Sequence, residues 1–155
     1  FGRLIKDKRY WSTGLSWQQN SQLGILSRTA LNGQIGKILA VSNKNTFQAS
    51  FGVLINSEVS YDNKTNQNVE GLLKVSYEFF SFDDPKLNIY THYFLYPSLT
   101  ISGRVRQDFN TEFKWKFISD FTISFQIYVN VDSKPITIGA SSLDWGLITS
   151  LGYTF

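Results

Sequence analysis

From Leu143 to the end of the chain the residue character alternates. The odd positions are Leu143, Trp145, Leu147, Thr149, Leu151, Tyr153 and Phe155; the even ones are Asp, Gly, Ile, Ser, Gly and Thr. A period of two means an extended strand with unlike faces. The same pattern recurs upstream. Tyr10 to Gln19 sets Trp11, Thr13, Leu15 and Trp17 against Tyr10, Ser12, Gly14, Ser16 and Gln18. Thr46 to Tyr61 has Phe47, Ala49, Phe51, Val53, Ile55 and Val59 on its odd face. Val69 to Phe82, Val105 to Ile118 and Phe121 to Val131 repeat the scheme, while Leu87 to Tyr96 carries aromatic residues on both faces. Leu23 to Val41 places Leu23, Ile25, Leu31, Ile35, Leu39 and Val41 at odd positions. Its glycines and β-branched residues disfavour a helix. A long strand is expected there, broken at Asn32-Gly33.

About eight strands follow from this alternation. Working back from the C-terminus, the connections alternate between long and short. Residues 132–142, 98–104 and 62–68 are long; 119–120, 83–86 and 42–45 are short. The odd faces are almost free of charge, with Lys37 the main exception. The charged strand residues lie on the even faces. Uncharged outer faces, short turns alternating with longer loops and an even strand number predict an all-β fold, an antiparallel up-and-down transmembrane β-barrel. A lipocalin-like or sandwich binding module is the soluble alternative, because alternation alone does not say which face is wet.

Composition narrows this reading without reversing it. A chain of 155 residues suits one domain. No apolar run reaches the roughly 20 residues of a spanning helix. Aromatic content is high, with 13 Phe, 8 Tyr and 4 Trp, and Trp11, Trp17, Tyr61, Tyr77, Tyr93, Trp115, Trp145 and Tyr153 near strand ends suit interfacial girdles. Cys is absent, which excludes disulfides and thiolate metal sites. A net charge of +3 argues against nucleic acid as a partner. The one basic cluster, Arg3, Lys6, Lys8 and Arg9, is expected to be a solvated flank. The chain opens at Phe1 with no leader visible, so a processed or truncated product lacking upstream strands is expected.

Two resemblances add to this. The terminal Phe155 with Tyr153 and further apolar residues at every second position before it resembles the C-terminal strand of bacterial outer-membrane barrels, which their assembly machinery reads. The stretches Tyr96-Pro97-Ser98-Leu99-Thr100, Gly103-Arg104-Val105-Arg106, Asp132-Ser133-Lys134-Pro135, Asp144-Trp145-Gly146 and Leu151–Phe155 resemble the YdiY-like family of salt-induced outer-membrane proteins, domain of unknown function 481. The similarity is strongest over residues 94–155. It implies a bacterial outer-membrane location, with membrane lipids, lipopolysaccharide and the assembly machinery as partners. Family members are generally longer at the N-terminal end. The family has no established reaction, so no mechanism comes with it.

The candidate site is the polar interior: Arg28, Glu58, Glu70, Lys74, Glu78, His92, Arg106, Asp108, Glu112, Lys114 and Lys116. Mixed signs at alternate positions predict cross-strand pairs that fill the lumen. A barrel of eight strands has room inside for little more than its side chains, so free conduction is not expected. A structural, envelope-stress or small-solute role without catalysis follows. The rival is a barrel-embedded lipid-modifying hydrolase using His92, the only His. Outer-membrane lipid A deacylases and phospholipases pair His with Ser and a carboxylate or Asn. Here the residue two after His92 is Phe94, and Ser50, Ser76 or Ser124 would have to approach across strands. Neither a cofactor nor a metal is expected. The loop holding Asp132, Ser133 and Asp144 lacks the ligand density of a calcium site, and phosphate-loop and His-metal motifs are missing.

Overall fold

The computed structural model describes residues 1–62, 64–118 and 121–153. They form one antiparallel sheet of nine strands in sequence order. The strands are β1 (Gly2–Leu4), β2 (Arg9–Asn20), β3 (Ile25–Val41), β4 (Asn45–Ser60), β5 (Thr65–Ser81), β6 (Lys86–Pro97), β7 (Val105–Ile118), β8 (Phe121–Asp132) and β9 (Leu143–Tyr153). The all-β up-and-down fold is as expected, with one strand more than the alternation predicts. The extra strand is β1, which sits where a basic flank is expected. It pairs with Tyr10, Trp11 and Ser12 of β2. Asp7 and Lys8 adopt left-handed backbone conformations in the intervening turn.

Three local expectations are corrected. Residues 62–68 are not a long loop: β5 begins at Thr65 and pairs with Val59. Polar side chains there hid a strand whose inward face is itself polar. The alternation of loop lengths therefore holds only for the second half of the chain. β3 is continuous through Asn32-Gly33, and its irregularities fall between Ile25 and Ser27 and between Ile38 and Ala40. The first of these reverses the parity, so Leu23 and Ile25 are buried while Leu26 points outward. The turn Ser119-Asp120, Asn63 of the connection between β4 and β5, Thr154 and the terminal Phe155 lie outside the described residues.

The polarity of the sheet is inverted relative to a water-soluble core. Among the described residues the buried apolar side chains are Leu23, Ile25, Ala30, Leu54, Leu72 and Tyr96. Buried polar and charged residues are more numerous, and they include Arg28, Glu58, Glu70, Arg104, Arg106 and Asp132. The large apolar residues are outside: Leu15, Trp17, Phe51, Val53, Ile55, Leu73, Leu147 and Leu151 are exposed on the odd faces. Among the described residues no second sheet covers them, which removes the sandwich alternative. A lipocalin-like binder would carry its apolar residues inside.

The ladder does not rejoin its ends, and β1 and β9 are its edges. At the long-loop end, however, the end of β2 and the turn after it already touch β9 and the loop before it. The Asn20 side-chain amide donates to Asp144 at 2.7 Å. Ser141 N–H donates to Gln22 O at 3.1 Å, and the Thr137 hydroxyl donates to Gly24 O at 2.7 Å. The sheet is thus curled, with the even faces on the concave side. Gly146 serves this curl. A Cβ there would lie 2.7 Å from ring atoms of Tyr128, its cross-strand neighbour, so the missing side chain makes room for that ring.

Candidate functional site

Cross-strand register builds the interior in layers. At the long-loop end Arg28 of β3 lies opposite Glu58 of β4, because Arg28↔Glu58 are paired residues. Arg28 Nε donates to Glu58 at 2.6 Å. Across the concave face, Arg104 donates to both oxygens of Glu58, at 2.9 and 3.2 Å. Arg104 also donates to both oxygens of Asp132, at 3.1 and 2.6 Å. Asp132 lies 3.9 Å from Arg28, which closes a ring of alternating sign. Arg104 and Glu58 are fully buried. Burial opposes the Arg104 charge, but its hydrogen bonds to Asp132 and Glu58 outweigh that and raise its pKa above the ordinary value.

Below it, Arg106 of β7 donates to both oxygens of Glu70 of β5, at 2.8 and 2.5 Å. Asn56 and Asn68 complete that carboxylate at 3.1 and 2.8 Å. The Tyr96 ring lies under the Arg106 guanidinium, 4.7 Å from its centre. Asn68 in turn accepts hydrogen bonds from Ser98 and Thr100 of the β6–β7 loop. Both carboxylates are thus bidentate, desolvated and fully hydrogen-bonded, the condition under which a buried charge network rigidifies a fold. Next comes an apolar layer of Ala30, Leu54, Leu72 and Tyr96, with Phe94 against it.

Past that layer the interior changes character. Lys74 lies over the Phe94 ring at 5.2 Å, and no carboxylate pairs with it among the described residues. Ser76, His92 and Asn110 sit side by side on β5, β6 and β7. The Ser76 hydroxyl and the His92 Nδ1 are buried without a hydrogen-bond partner. Glu78 accepts from Asn88 at 3.2 Å, and Lys114 pairs with Glu112 on its own strand at 3.0 Å. Lys86 and Lys116 face each other at the short-turn mouth.

The expected interior residues therefore divide. Arg28, Glu58, Glu70 and Arg106 form the predicted cross-strand pairs. Lys74, Glu78, His92, Asp108, Glu112 and Lys116 face inward but are only partly buried, and Lys114 is exposed at the mouth rather than inside. Of the expected serine neighbours of His92, only Ser76 is level with it. Two central members, Arg104 and Asp132, fall in stretches whose composition predicts loops. Their even parity, continuous with Arg106 and Asn130, was the signal that could have found them. Tyr153 is exposed on the outward face and packs against Phe121 with the rings tilted and their centroids 4.9 Å apart. Among the described residues no group of three His, Asp or Glu is placed to hold a metal.

A family model described as protein of unknown function, DUF481, matches residues 2–155. The chain belongs to the DUF481 family. No curated protein and no solved structure matches it. The match spans the whole sheet of this DUF481 protein, β1 included, and not only the second half where the short motifs are densest.

Proposed function

We propose that this DUF481 protein is a bacterial outer-membrane β-barrel whose lumen is plugged at its long-loop end, and that it serves the envelope as a non-conducting structural or stress-related element without catalysis. One observation carries this reading. The face that would meet water in a soluble protein is apolar and exposed, and the buried face is charged. Exposed apolar surface on this scale calls for a non-aqueous environment. Membrane lipids and lipopolysaccharide are then the partners of the odd faces. The aromatic C-terminal strand is the signal for the assembly machinery, with Tyr153 and Phe155 as its readable positions.

In this reading β9 closes antiparallel onto the free edge of β2, beyond the segment that β1 covers. The Asn20–Asp144 contact sets the register and brings Ser16 opposite Ile148. Protein carrying Ser16→Cys with Ile148→Cys is expected to form an internal disulfide in membranes. The protein is expected in the membrane fraction, extractable only with detergent, with a gel mobility that changes on heating. Recovery as a soluble monomer without detergent overturns the proposal.

A second reading has one observation in its favour. Ser76, His92 and Asn110 occupy one cross-strand row, the residue types of a serine hydrolase. No hydrogen bond joins Ser76 to His92, so the nucleophile–base contact is missing. Any lipid-ester hydrolysis found with the purified protein is expected to survive His92→Ala; its loss would favour the hydrolase.

A further inference from the structure

The short-turn mouth carries a feature that the plugged barrel does not need. Lys86 of β6 and Lys116 of β7 are directly opposite each other. Like charges in that position are destabilising. Among the described residues neither has a carboxylate partner, whereas Lys114 beside them pairs with Glu112 at 3.0 Å. Two adjoining hollows share Phe82, Lys86 and Lys116. The inner one, of about 200 Å³, is also lined by Lys114, Asn88 and Thr122 and holds no acid. The outer one, of about 680 Å³, lies over the rim and is also lined by Trp115 and Phe117, with Asp84 its one carboxylate. Trp115 and Phe117 belong to the outward, apolar face.

We infer that this mouth is a binding site for the phosphodiester headgroup of a phospholipid. The inner hollow takes the phosphate between Lys86, Lys116 and Lys114. Ammonium groups suit a phosphate as compact point charges with several donors. The hydroxyl of Thr122, and the N–H of the Asn88 amide that is not given to Glu78, are further donors lining the same hollow. The outer hollow takes the glycerol and the start of the acyl chains along Trp115 and Phe117, where amphipathic aromatic side chains mark a membrane–water boundary. A free phosphate would use only the inner hollow and make no contact with the rim aromatics. The inference rests on the membrane reading above, which supplies the lipid.

The test uses the whole protein folded in a non-ionic detergent, with dihexanoyl phosphatidylglycerol as the probe and native mass spectrometry counting retained lipid. Binding by the unaltered protein is expected, weakened by added salt. Lys86→Gln with Lys116→Gln is expected to weaken it about 30-fold, since each lysine near an anionic headgroup contributes on the order of fivefold. Lys86→Arg with Lys116→Arg should retain it, and Lys44→Gln, at another turn of the same end, should leave it unchanged. Equal affinity in the double Gln variant overturns the inference, as does an equal loss in the Lys44 variant. So does binding of inorganic phosphate as tight as that of the lipid. Heat-modifiable mobility of each variant shows that it is folded. A folded, detergent-requiring protein that ignores the lipid refutes this site alone, whereas a protein soluble without detergent refutes the membrane reading itself.

Discussion

The two ends of the interior are built from the same strands and the same alternation, yet they are finished differently. At the long-loop end, Arg28, Glu58, Arg104 and Asp132 close into a ring with nearly every charged oxygen and nitrogen engaged. At the short-turn end the Ser76 hydroxyl and His92 Nδ1 have no hydrogen-bond partner, and two lysines stand side by side on β6 and β7 at the mouth. Alternation decides which face a side chain takes. It does not decide whether that face is filled. The first end has the makings of a fixed plug; the second keeps buried hydrogen-bonding groups unpaired.

The contrast can be broken at its strongest point first. Glu58→Gln leaves Arg28 and Arg104 without their shared carboxylate. It is expected to cost about 3–5 kcal/mol, as for other broken buried pairs, read by urea unfolding of the protein in lipid vesicles. High salt should not mimic it, because a desolvated pair is poorly screened. Next, Ile127→Arg on the outward face of β8 should cost about 2–4 kcal/mol near the bilayer midplane, falling toward either interface. The same unfolding assay and the yield of membrane-inserted protein check it. Lys74→Gln at the looser end should change stability by about 0.5 kcal/mol or less. A Lys74→Gln cost as large as that of Glu58→Gln would erase the difference between the two ends.

Much of this was legible in the sequence because a period of two survives any amount of curling. The faces of β4, β7, β8 and β9 follow from parity alone. What parity could not supply was the register between distant strands. Arg28 and Glu58 are visibly inward, but that Arg104 crosses the concave face to join them depends on how tightly the sheet curls. Arg104 and Asp132 were hidden by their neighbours, since Gly103 and Ser133-Lys134-Pro135 carry turn chemistry that masks a strand end. Leu23 and Ile25 take the face opposite to the one their odd parity predicts, because a one-residue irregularity inverts parity without changing composition. Polar residues 65–68 looked like a loop because in this fold a polar face marks the inside. The row of Ser76, His92 and Asn110 needed three strands in register, and no single-strand motif contains it.

The central claim is that the odd faces meet hydrocarbon, and the most direct measurement is oxygen accessibility of nitroxide spin labels placed one at a time along Phe125 to Asn130 of β8 in lipid bilayers. Alternation is expected, with high oxygen accessibility at Phe125, Ile127 and Val129 and low accessibility at Gln126, Tyr128 and Asn130. Uniform accessibility along the strand, or alternation with the even positions high, would contradict it.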